Sequence, residues 1–295
     1  MATRGGLRDA PVRSALQVVC ATLLFVGVDG IGKLLVSELP TGIVVWGRYA
    51  SSVVVLLALL PGYGPRALWG THAPALQLLR GASLLGTTGF MFMSVRYLPL
   101  TDAYAVQYTS PMLVGVLSVA FLRERPRRTQ IGLMAIAFCG VLTIVRPDIA
   151  AFGYAIFLPL VSAFCYAAYQ LLTRHVASRD TPLVSLFCAN LVGLAVASFA
   201  WLFWQPALGA RQIALMALMG LGSAAGHFLL VNALRGARAS WIAPFLYVQI
   251  VWASAADAFL FQRAPALTTW IGAAIVITCS VTLLWVRPVS PPLKP

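Results

Sequence analysis

Apolar residues fill this chain in long runs that short turns separate, as at 39–42 and 61–65. A helix needs about 20 apolar residues to cross a bilayer. Only helices and closed barrels pair all their backbone groups in lipid, and these runs are too long and too apolar for barrel strands. The pattern predicts an all-α integral membrane protein with ten transmembrane helices, at about 15–36, 43–60, 79–97, 102–121, 129–146, 151–173, 183–204, 212–234, 240–261 and 268–286.

The composition supports this prediction, since 60% of the residues are hydrophobic and 10% are charged. The formal net charge of +13 lies mostly in the short gaps between apolar runs, where basic residues set membrane orientation. No nucleic-acid-binding signature accompanies it, so the lipid bilayer is the expected partner and nucleic acid is not. The first run carries Asp29 and Lys33 and has no clear cleavage site, which favours a retained first helix over a signal peptide.

The second half of the chain repeats the first. Phe121–Leu122 recurs as Phe259–Leu260, 138 residues later, and the closing Arg-Pro pair at 146–147 recurs at 287–288. We therefore expect two five-helix repeats, at 15–147 and 148–288, with an N-terminal segment at 1–14 and a tail at 289–295. Many secondary transporters are built from such repeats.

The basic residues indicate how the two repeats are oriented. With the N-terminus in the cytoplasm, fifteen basic residues, Arg80 among them, fall inside and four fall outside. The loop 123–128 has four arginines, whereas the equivalent loop at 262–267 has only Arg263. Each repeat has five spans, an odd number, so the second copy enters the membrane in the opposite orientation. The pattern therefore predicts inverted repeats with both termini cytoplasmic.

Two charged residues interrupt the first predicted helix. Asp29 and Lys33 lie one turn apart, where an ion pair can form. The equivalent face of the sixth helix carries Tyr166, Tyr169 and Gln170. Charges at membrane depth cost roughly 2.5–3.5 kcal/mol each, so they need a reason to be there. One interpretation is an internal strut that fixes helix packing, and the other is the wall of a cavity that binds a polar substrate.

The fourth predicted helix carries a polar and aromatic stripe. Tyr104, Gln107, Tyr108 and Pro111 share one face, and its counterpart in the ninth helix carries Gln249 and Trp252. A mid-span proline bends a helix and frees a carbonyl group, so Pro111 is a candidate hinge. We expect the stripe to line a pocket for a small amphipathic solute, although ordinary aromatic packing gives the same pattern.

Three further polar residues lie within predicted spans. Arg48 either snorkels towards an interface or meets Asp29 or a substrate carboxylate. His227 and Asp257 are candidates for proton coupling, and the alternative for His227 is a packed, hydrogen-bonded side chain.

Sequence signatures of enzymes and ATP-driven pumps are missing. There is no GxxxxGK[ST], HExxH or GxSxG motif, and the five cysteines form no CxxC pair. We therefore expect no enzyme, no cofactor and no metal site.

The run 96–128, RYLPLTDAYAVQYTSPMLVGVLSVAFLRERPRR, carries a resemblance to a known family. It resembles the EamA-type half of the drug/metabolite transporter superfamily, in which Pro111 and Glu124 match the family pattern and Arg123 replaces a glycine. In the second half Gln249 stands at the proline position and Gln262 at the glutamate position, so that half diverges.

The resemblance implies a ten-helix transporter of small metabolites in the bacterial inner membrane, working by alternating access as a monomer or homodimer. Our first hypothesis is an exporter of a zwitterionic metabolite, either an amino acid or an amino-acid-derived compound such as an opine-type metallophore. The alternative is an importer of a cofactor such as riboflavin or S-adenosylmethionine. A membrane enzyme or a scaffold is a third hypothesis.

Overall fold

A computed structural model describes residues 6–58, 70–98, 100–122, 127–145, 153–260 and 267–285. Glu124, Gln262, the arginine-rich loop at 123–126, Arg263 and both Arg-Pro pairs lie outside the described residues, as does the side chain of Asp257.

All regular structure in the described residues is helical, as the apolar runs predict. The described residues contain twelve α-helices. These group into ten spans, because α4 with α5, and α10 with α11, each form one interrupted span. The helices are α1 (Gly6–Glu38), α2 (Thr41–Ala58), α3 (Pro74–Tyr97), α4 (Leu100–Gln107), α5 (Ser110–Leu122), α6 (Arg128–Val145), α7 (Phe157–Val176), α8 (Pro182–Ala197), α9 (Ala210–Gly236), α10 (Ala239–Ile242), α11 (Val248–Leu260) and α12 (Leu267–Trp285).

Six of these spans are long and apolar enough to cross a membrane, namely those containing α1, α2, α3, α7, α8 and α9. The other four, around α5, α6, α11 and α12, are shorter apolar helices in the described part of the chain. Three 3₁₀ segments extend or connect the helices, at Gly153–Ile156, Ser198–Leu202 and Ala243–Tyr247.

The two interrupted spans break at equivalent positions. In the first half the break at Tyr108 precedes Pro111, and the chain tightens there into a turn in which the Thr109 N–H donates to the Val106 carbonyl at 3.0 Å. In the second half the 3₁₀ segment Ala243–Tyr247 contains Pro244 and lies 138 residues after 105–109. The second break is therefore made by Pro244, five residues before Gln249, the residue that the sequence aligned with Pro111.

Helix packing is symmetric when the two halves are exchanged. The contact of α1 with α9 has its equivalent in α7 with α3, and the contact of α2 with α9 in α8 with α3. The contact of α5 with α7 likewise matches that of α11 with α1. Two pairs are their own equivalents: α2 with α8, and α6 with α12. This pattern is expected for two copies related by a two-fold axis.

Small residues bring α1 and α9 close together. A methyl group on Gly226 would lie 2.7 Å from the Phe25 ring, and one on Gly222 would lie 3.0 Å from Val28. The Gly222-x-x-x-Gly226 spacing thus lets two long helices approach closely. This approach places His227, the next residue of α9, beside the polar residues of α1 and α2.

Candidate functional site

A cavity of about 70 Å³ lies at the centre of the helices. The broken spans and helices α1, α2, α3, α7 and α9 all contribute side chains to it, so both halves of the chain line it. Its polar wall consists of Asp29, Arg48, Thr87, Thr88, Tyr104, Gln107, Tyr108, Ser110, Tyr166, His227 and Gln249.

The carboxylate of Asp29 forms one side of this cavity. It accepts a hydrogen bond of 2.6 Å from the hydroxyl of Tyr104. The Tyr104 ring stacks on that of Tyr108, with centroids 5.8 Å apart. Tyr104 of the fourth span is therefore a hydrogen-bond partner of Asp29 on α1. Tyr104 of the aromatic stripe thus binds the Asp29 carboxylate, which the sequence analysis treated as a separate feature.

The guanidinium of Arg48 forms a second side. The residue is 5% exposed, so it does not snorkel to an interface. Its Nη1 donates to the hydroxyl of Thr88, and its Nη2 lies 3.0 Å from Nε2 of His227. Its Nε–H is buried and has no hydrogen-bond partner among the residues that the structure describes. Arg48 thus presents one unused donor at the wall of the cavity.

His227 joins Arg48 to a second buried arginine. Its Nδ1 lies 3.2 Å from the hydroxyl of Tyr169, and that hydroxyl accepts a hydrogen bond of 3.0 Å from Nη2 of Arg80. The ring of Phe25 packs against the imidazole, with centroids 4.7 Å apart. Both ring nitrogens of His227 are therefore engaged, one towards the cavity and one away from it.

Three other cavity residues have buried polar atoms with no hydrogen-bond partner. They are Gln107 at Oε1, Tyr108 at its hydroxyl and Tyr166 at its hydroxyl. Each of these residues is at least nine-tenths buried and lines the cavity. Because buried polar groups are normally hydrogen-bonded, these atoms are suited to binding a polar ligand.

The structure brings most of the predicted substrate-binding residues to this cavity. Asp29, Arg48, Tyr104, Gln107, Tyr108, Tyr166 and Gln249 line it, together with Pro111 and His227. Lys33, Tyr169, Gln170 and Trp252 do not line it; Tyr169 lies behind His227, and Gln170 is fully buried. The predicted roles of these residues in binding substrate, and of Asp257 in proton coupling, remain predictions.

Sequence reasoning missed the hydroxyls of Thr87, Thr88 and Ser110. Thr87 and Thr88 stand between Gly86 and Gly89 in α3, and this run of small residues in a long apolar helix was the available signal. Threonine hydroxyls within helices donate to a carbonyl of the preceding turn, as Thr88 does to the Leu84 carbonyl at 3.1 Å. A hydropathy pattern therefore does not mark them as unusual polar residues in an apolar helix.

The location of Arg80 differs from the sequence analysis, which counted it among the basic residues of a cytoplasmic segment. The structure buries it completely within α3. Its Nε donates to the Thr173 hydroxyl at 2.7 Å, its Nη1 to the Ser185 carbonyl and to Oε1 of Gln77, and its Nη2 to Tyr169. We call Arg80, Gln77, Tyr169, Thr173 and Ser185 the Arg80 cluster.

The Arg80 cluster continues to Asp180 in the connection between α7 and α8. The Asp180 carboxylate accepts from the Gln77 amide at 2.7 Å, the Thr71 hydroxyl at 2.6 Å and the His72 backbone N–H at 2.8 Å. Burial acts to raise the pKa of this carboxyl, but these hydrogen bonds outweigh it and hold the pKa below its ordinary value of 3.8.

No group of three histidine, cysteine or acidic side chains that would hold a metal ion occurs in the part of the chain that the structure describes.

Comparisons with known proteins agree with this architecture. The chain is 26% identical over 278 residues to a riboflavin transporter of Vibrio cholerae, covering 92% of each chain. It is 25% identical over 285 residues to an S-adenosylmethionine uptake transporter of Rickettsia prowazekii, covering 95% of this chain and 96% of the relative. It is 26% identical over 267 residues to a pseudopaline exporter of Pseudomonas aeruginosa, covering 90% and 93%.

The fold also matches a solved crystal structure with a TM-score of 0.77 at 14% identity, over 94% of this chain and 98% of that one. The model of the EamA-like transporter family, within the drug/metabolite transporter superfamily, matches the chain twice, at 12–146 and 153–285. The chain is therefore a multi-pass membrane protein that belongs to the EamA-like transporter family, and it is a secondary transporter of small molecules rather than an enzyme.

Proposed function

We propose that this transporter carries a small zwitterionic metabolite with an amino-acid group through the bacterial inner membrane. The observation that carries the proposal is that one cavity is lined by both a buried guanidinium, Arg48, and a partly buried carboxylate, Asp29. Isolated charges at membrane depth are costly, so a pair of opposite charges facing the same space favours a ligand that carries both signs.

The geometry of Arg48 suits a carboxylate. Its Nε donor is unused, and a guanidinium binds a carboxylate through two parallel N–H donors. The carboxylate of Asp29 would take the ammonium group, and the hydroxyls of Tyr108 and Tyr166 would take further polar atoms.

Substrate entry requires the cavity to open. A volume of about 70 Å³ is well below the roughly 300–1,000 Å³ of ligand pockets, so the cavity has to widen before it can hold a metabolite. Alternating access would move the two repeats, 15–147 and 148–288, relative to one another around the cavity. The breaks before Pro111 and at Pro244 lie at the cavity wall, where bending would change access with little change elsewhere.

The membrane topology is part of the proposal. Each repeat has five spans, and an odd number requires the second copy to enter the bilayer from the opposite side. Inverted repeats with both termini cytoplasmic follow from the excess of arginine in the inside loops.

The names of the relatives contain two compounds with amino-acid groups and one without. S-adenosylmethionine and the opine pseudopaline have carboxylate and amino groups, which fit Arg48 and Asp29. Riboflavin has no carboxylate, and it is the second candidate because the stacked Tyr104 and Tyr108 rings offer an aromatic surface. Export is the direction that the sequence analysis favoured, and uptake is its alternative.

Counterflow in liposomes containing the purified protein tests the substrate class. Liposomes loaded with S-adenosylmethionine, with individual amino acids or with riboflavin would be tested for exchange with the same labelled compound outside. We expect saturable exchange of a compound that carries an amino-acid group. Exchange of riboflavin, with none of any amino-acid compound, would reject the zwitterion proposal.

Variants connect the counterflow result to the cavity. Arg48→Gln and Asp29→Asn should each weaken exchange, because each removes one of the two charges. Arg211→Gln is the matched control, since Arg211 forms an exposed ion pair of 2.7 Å with Glu38 and neither residue lines the cavity. Exchange that is equal in Arg48→Gln and Arg211→Gln would remove Arg48 from the site.

A further inference from the structure

We propose that protonation of His227 and the hydrogen bond from Arg48 to His227 exclude one another, so that the transporter binds its substrate carboxylate and a proton together. This inference rests on the proposed function for the identity of the substrate, and it adds the coupling ion and the sign of coupling. It is carried by the chain Arg48–His227–Tyr169–Arg80, in which both ends are arginines.

The two arginines fix which ring nitrogen of His227 carries the hydrogen. Arginine has only donors, so Nη2 of Arg48 at 3.0 Å requires Nε2 of His227 to accept. The neutral imidazole then has its hydrogen on Nδ1, which donates to the Tyr169 hydroxyl at 3.2 Å. That hydroxyl oxygen also accepts from Arg80 at 3.0 Å, so its two lone pairs are both used.

A proton on His227 has only one place to go in this arrangement, which is Nε2. Protonated Nε2 becomes a donor and faces Nη2 of Arg48, which is also a donor, at hydrogen-bond distance. The two cations repel one another, and the hydrogen bond is lost. Nη2 of Arg48 and Nε2 of protonated His227 are then both donors without an acceptor, and a carboxylate placed between them would accept from both.

The other charged and titratable groups around His227 either add positive charge near the imidazole or face the ammonium end of the proposed substrate. Arg80 stands behind Tyr169 and adds a second positive charge on that side. Asp29 on α1 lines the same cavity, where its carboxylate accepts from Tyr104 and faces the proposed ammonium site. Tyr166 on α7 lines the cavity with a free hydroxyl.

The sign of the coupling follows from this competition. A substrate carboxylate that draws Arg48 away leaves Nε2 of His227 as an unpaired acceptor next to an anion, and this favours proton binding there. By reciprocity, a proton on His227 favours binding of the carboxylate to Arg48. The proton and the substrate therefore travel in the same direction. With a proton gradient that points into the cell, this favours uptake, the alternative direction, over export.

The tautomer can be measured without any substrate. Purified protein with ¹⁵N-labelled histidine gives signals from three histidines, and His227→Gln identifies the signals of His227. We expect the Nδ1–H tautomer in the wild-type protein and a mixture of tautomers in Arg48→Met, because methionine has no hydrogen-bond donor to offer Nε2. An Nε2–H tautomer in the wild-type protein would overturn the inference.

Proton uptake on binding is the second measurement. S-adenosylmethionine is added to the protein in weakly buffered detergent solution with a pH indicator, and binding is followed by calorimetry on the same sample. We expect about one proton taken up per substrate bound by the wild-type protein. His227→Gln keeps an acceptor for Arg48 and a donor for Tyr169 but has no proton to take, so its ratio should fall to near zero.

The outcomes separate this inference from the proposed function. Binding without proton uptake, binding with proton release, or unchanged uptake in His227→Gln would overturn the coupling while leaving the substrate class intact. Loss of proton uptake in Asp29→Asn but not in His227→Gln would assign the proton to Asp29 instead. No binding of S-adenosylmethionine or of any amino acid would reject the substrate class, and the tautomer measurement would still decide whether Arg48 excludes a proton from His227.

Discussion

Two buried arginines in neighbouring spans of the first half have opposite environments. Arg80 is fully buried in α3, and its nitrogens donate to four neighbours, Thr173, Gln77, Ser185 and Tyr169. Arg48 in α2 has two partners, Thr88 and His227, and its Nε–H has none. Every guanidinium nitrogen of Arg80 therefore has a partner in the protein, whereas Nε of Arg48 has none among the described residues.

This difference in hydrogen bonding indicates that Arg80 belongs to the scaffold and Arg48 to the binding site. A buried charge that the protein fully satisfies contributes to helix packing, and in the Arg80 cluster it ties α3 to α7 and α8. A buried charge with an unused donor at a cavity wall is suited to a ligand that completes it. His227 connects the two arginines, so the position of Arg48 depends on a scaffold that Arg80 holds.

The largest expected effect is loss of stability in Arg80→Ala. The substitution leaves several buried acceptors without a donor, and each costs about 1–3 kcal/mol, so a total loss of roughly 3–5 kcal/mol is expected. Thermal unfolding in detergent, followed by size-exclusion chromatography, would measure it. Arg179→Ala is the control, because Arg179 is exposed in the same part of the protein. A stable Arg80→Ala protein would show that the cluster is not structural.

The next largest effect concerns affinity and not stability. Arg48→Lys keeps the positive charge but loses the planar pair of donors, and a hydrogen bond to a charged group contributes about 1.5–3 kcal/mol. We expect substrate affinity to fall by roughly 10- to 150-fold while the unfolding temperature stays near that of wild type. Calorimetric titration with S-adenosylmethionine measures the first, and thermal unfolding the second. A large stability loss with unchanged affinity would make Arg48 a second scaffold residue.

The sequence contained enough information to predict the helices but not this distinction. Apolar runs and their repeat predicted ten spans, because lipid imposes length and polarity on every span. The stripe around Tyr104 also predicted much of the cavity wall. Arg80 and Arg48 look alike in a hydropathy pattern, however. Arg80 was counted among the cytoplasmic basic residues because its partners, such as Thr173 and Ser185, are about 100 residues away in the sequence. Pro244 was missed for a related reason, since the repeat alignment directed attention to Gln249.

A smaller effect is expected at the end of the Arg80 cluster. The pKa of Asp180 is lowered in the folded protein, so its charged form adds stability above its ordinary value of 3.8, and this contribution is lost as the pH falls through the lowered value. Asp180→Asn should remove this acid dependence and cost about 1 kcal/mol at neutral pH, because charged hydrogen bonds become neutral ones. Unfolding temperatures measured from pH 7 down to acid would show whether the two proteins converge.

The smallest effect is expected at the hydroxyl of Tyr49, which lies 3.2 Å from that of Thr88. Thr88 donates to the Leu84 carbonyl, so its oxygen accepts from both Arg48 and Tyr49. Tyr49→Phe frees one lone pair but leaves the bond from Arg48 in place, and we expect a loss of about 0.5–1 kcal/mol in stability and little in affinity.

Thr88→Val is the variant to compare with Tyr49→Phe, because it removes the hydroxyl that accepts from Arg48. It should weaken substrate binding more than Tyr49→Phe does. Tyr154→Phe, at a tyrosine that is 91% exposed, controls for loss of a phenol hydroxyl. Equal binding losses in Tyr49→Phe and Thr88→Val would mean that Tyr49 and Thr88 act as one unit in holding Arg48. The position of the Arg48 guanidinium, and with it the unused Nε donor, would then depend on Tyr49 of α2 as much as on Thr88 of α3.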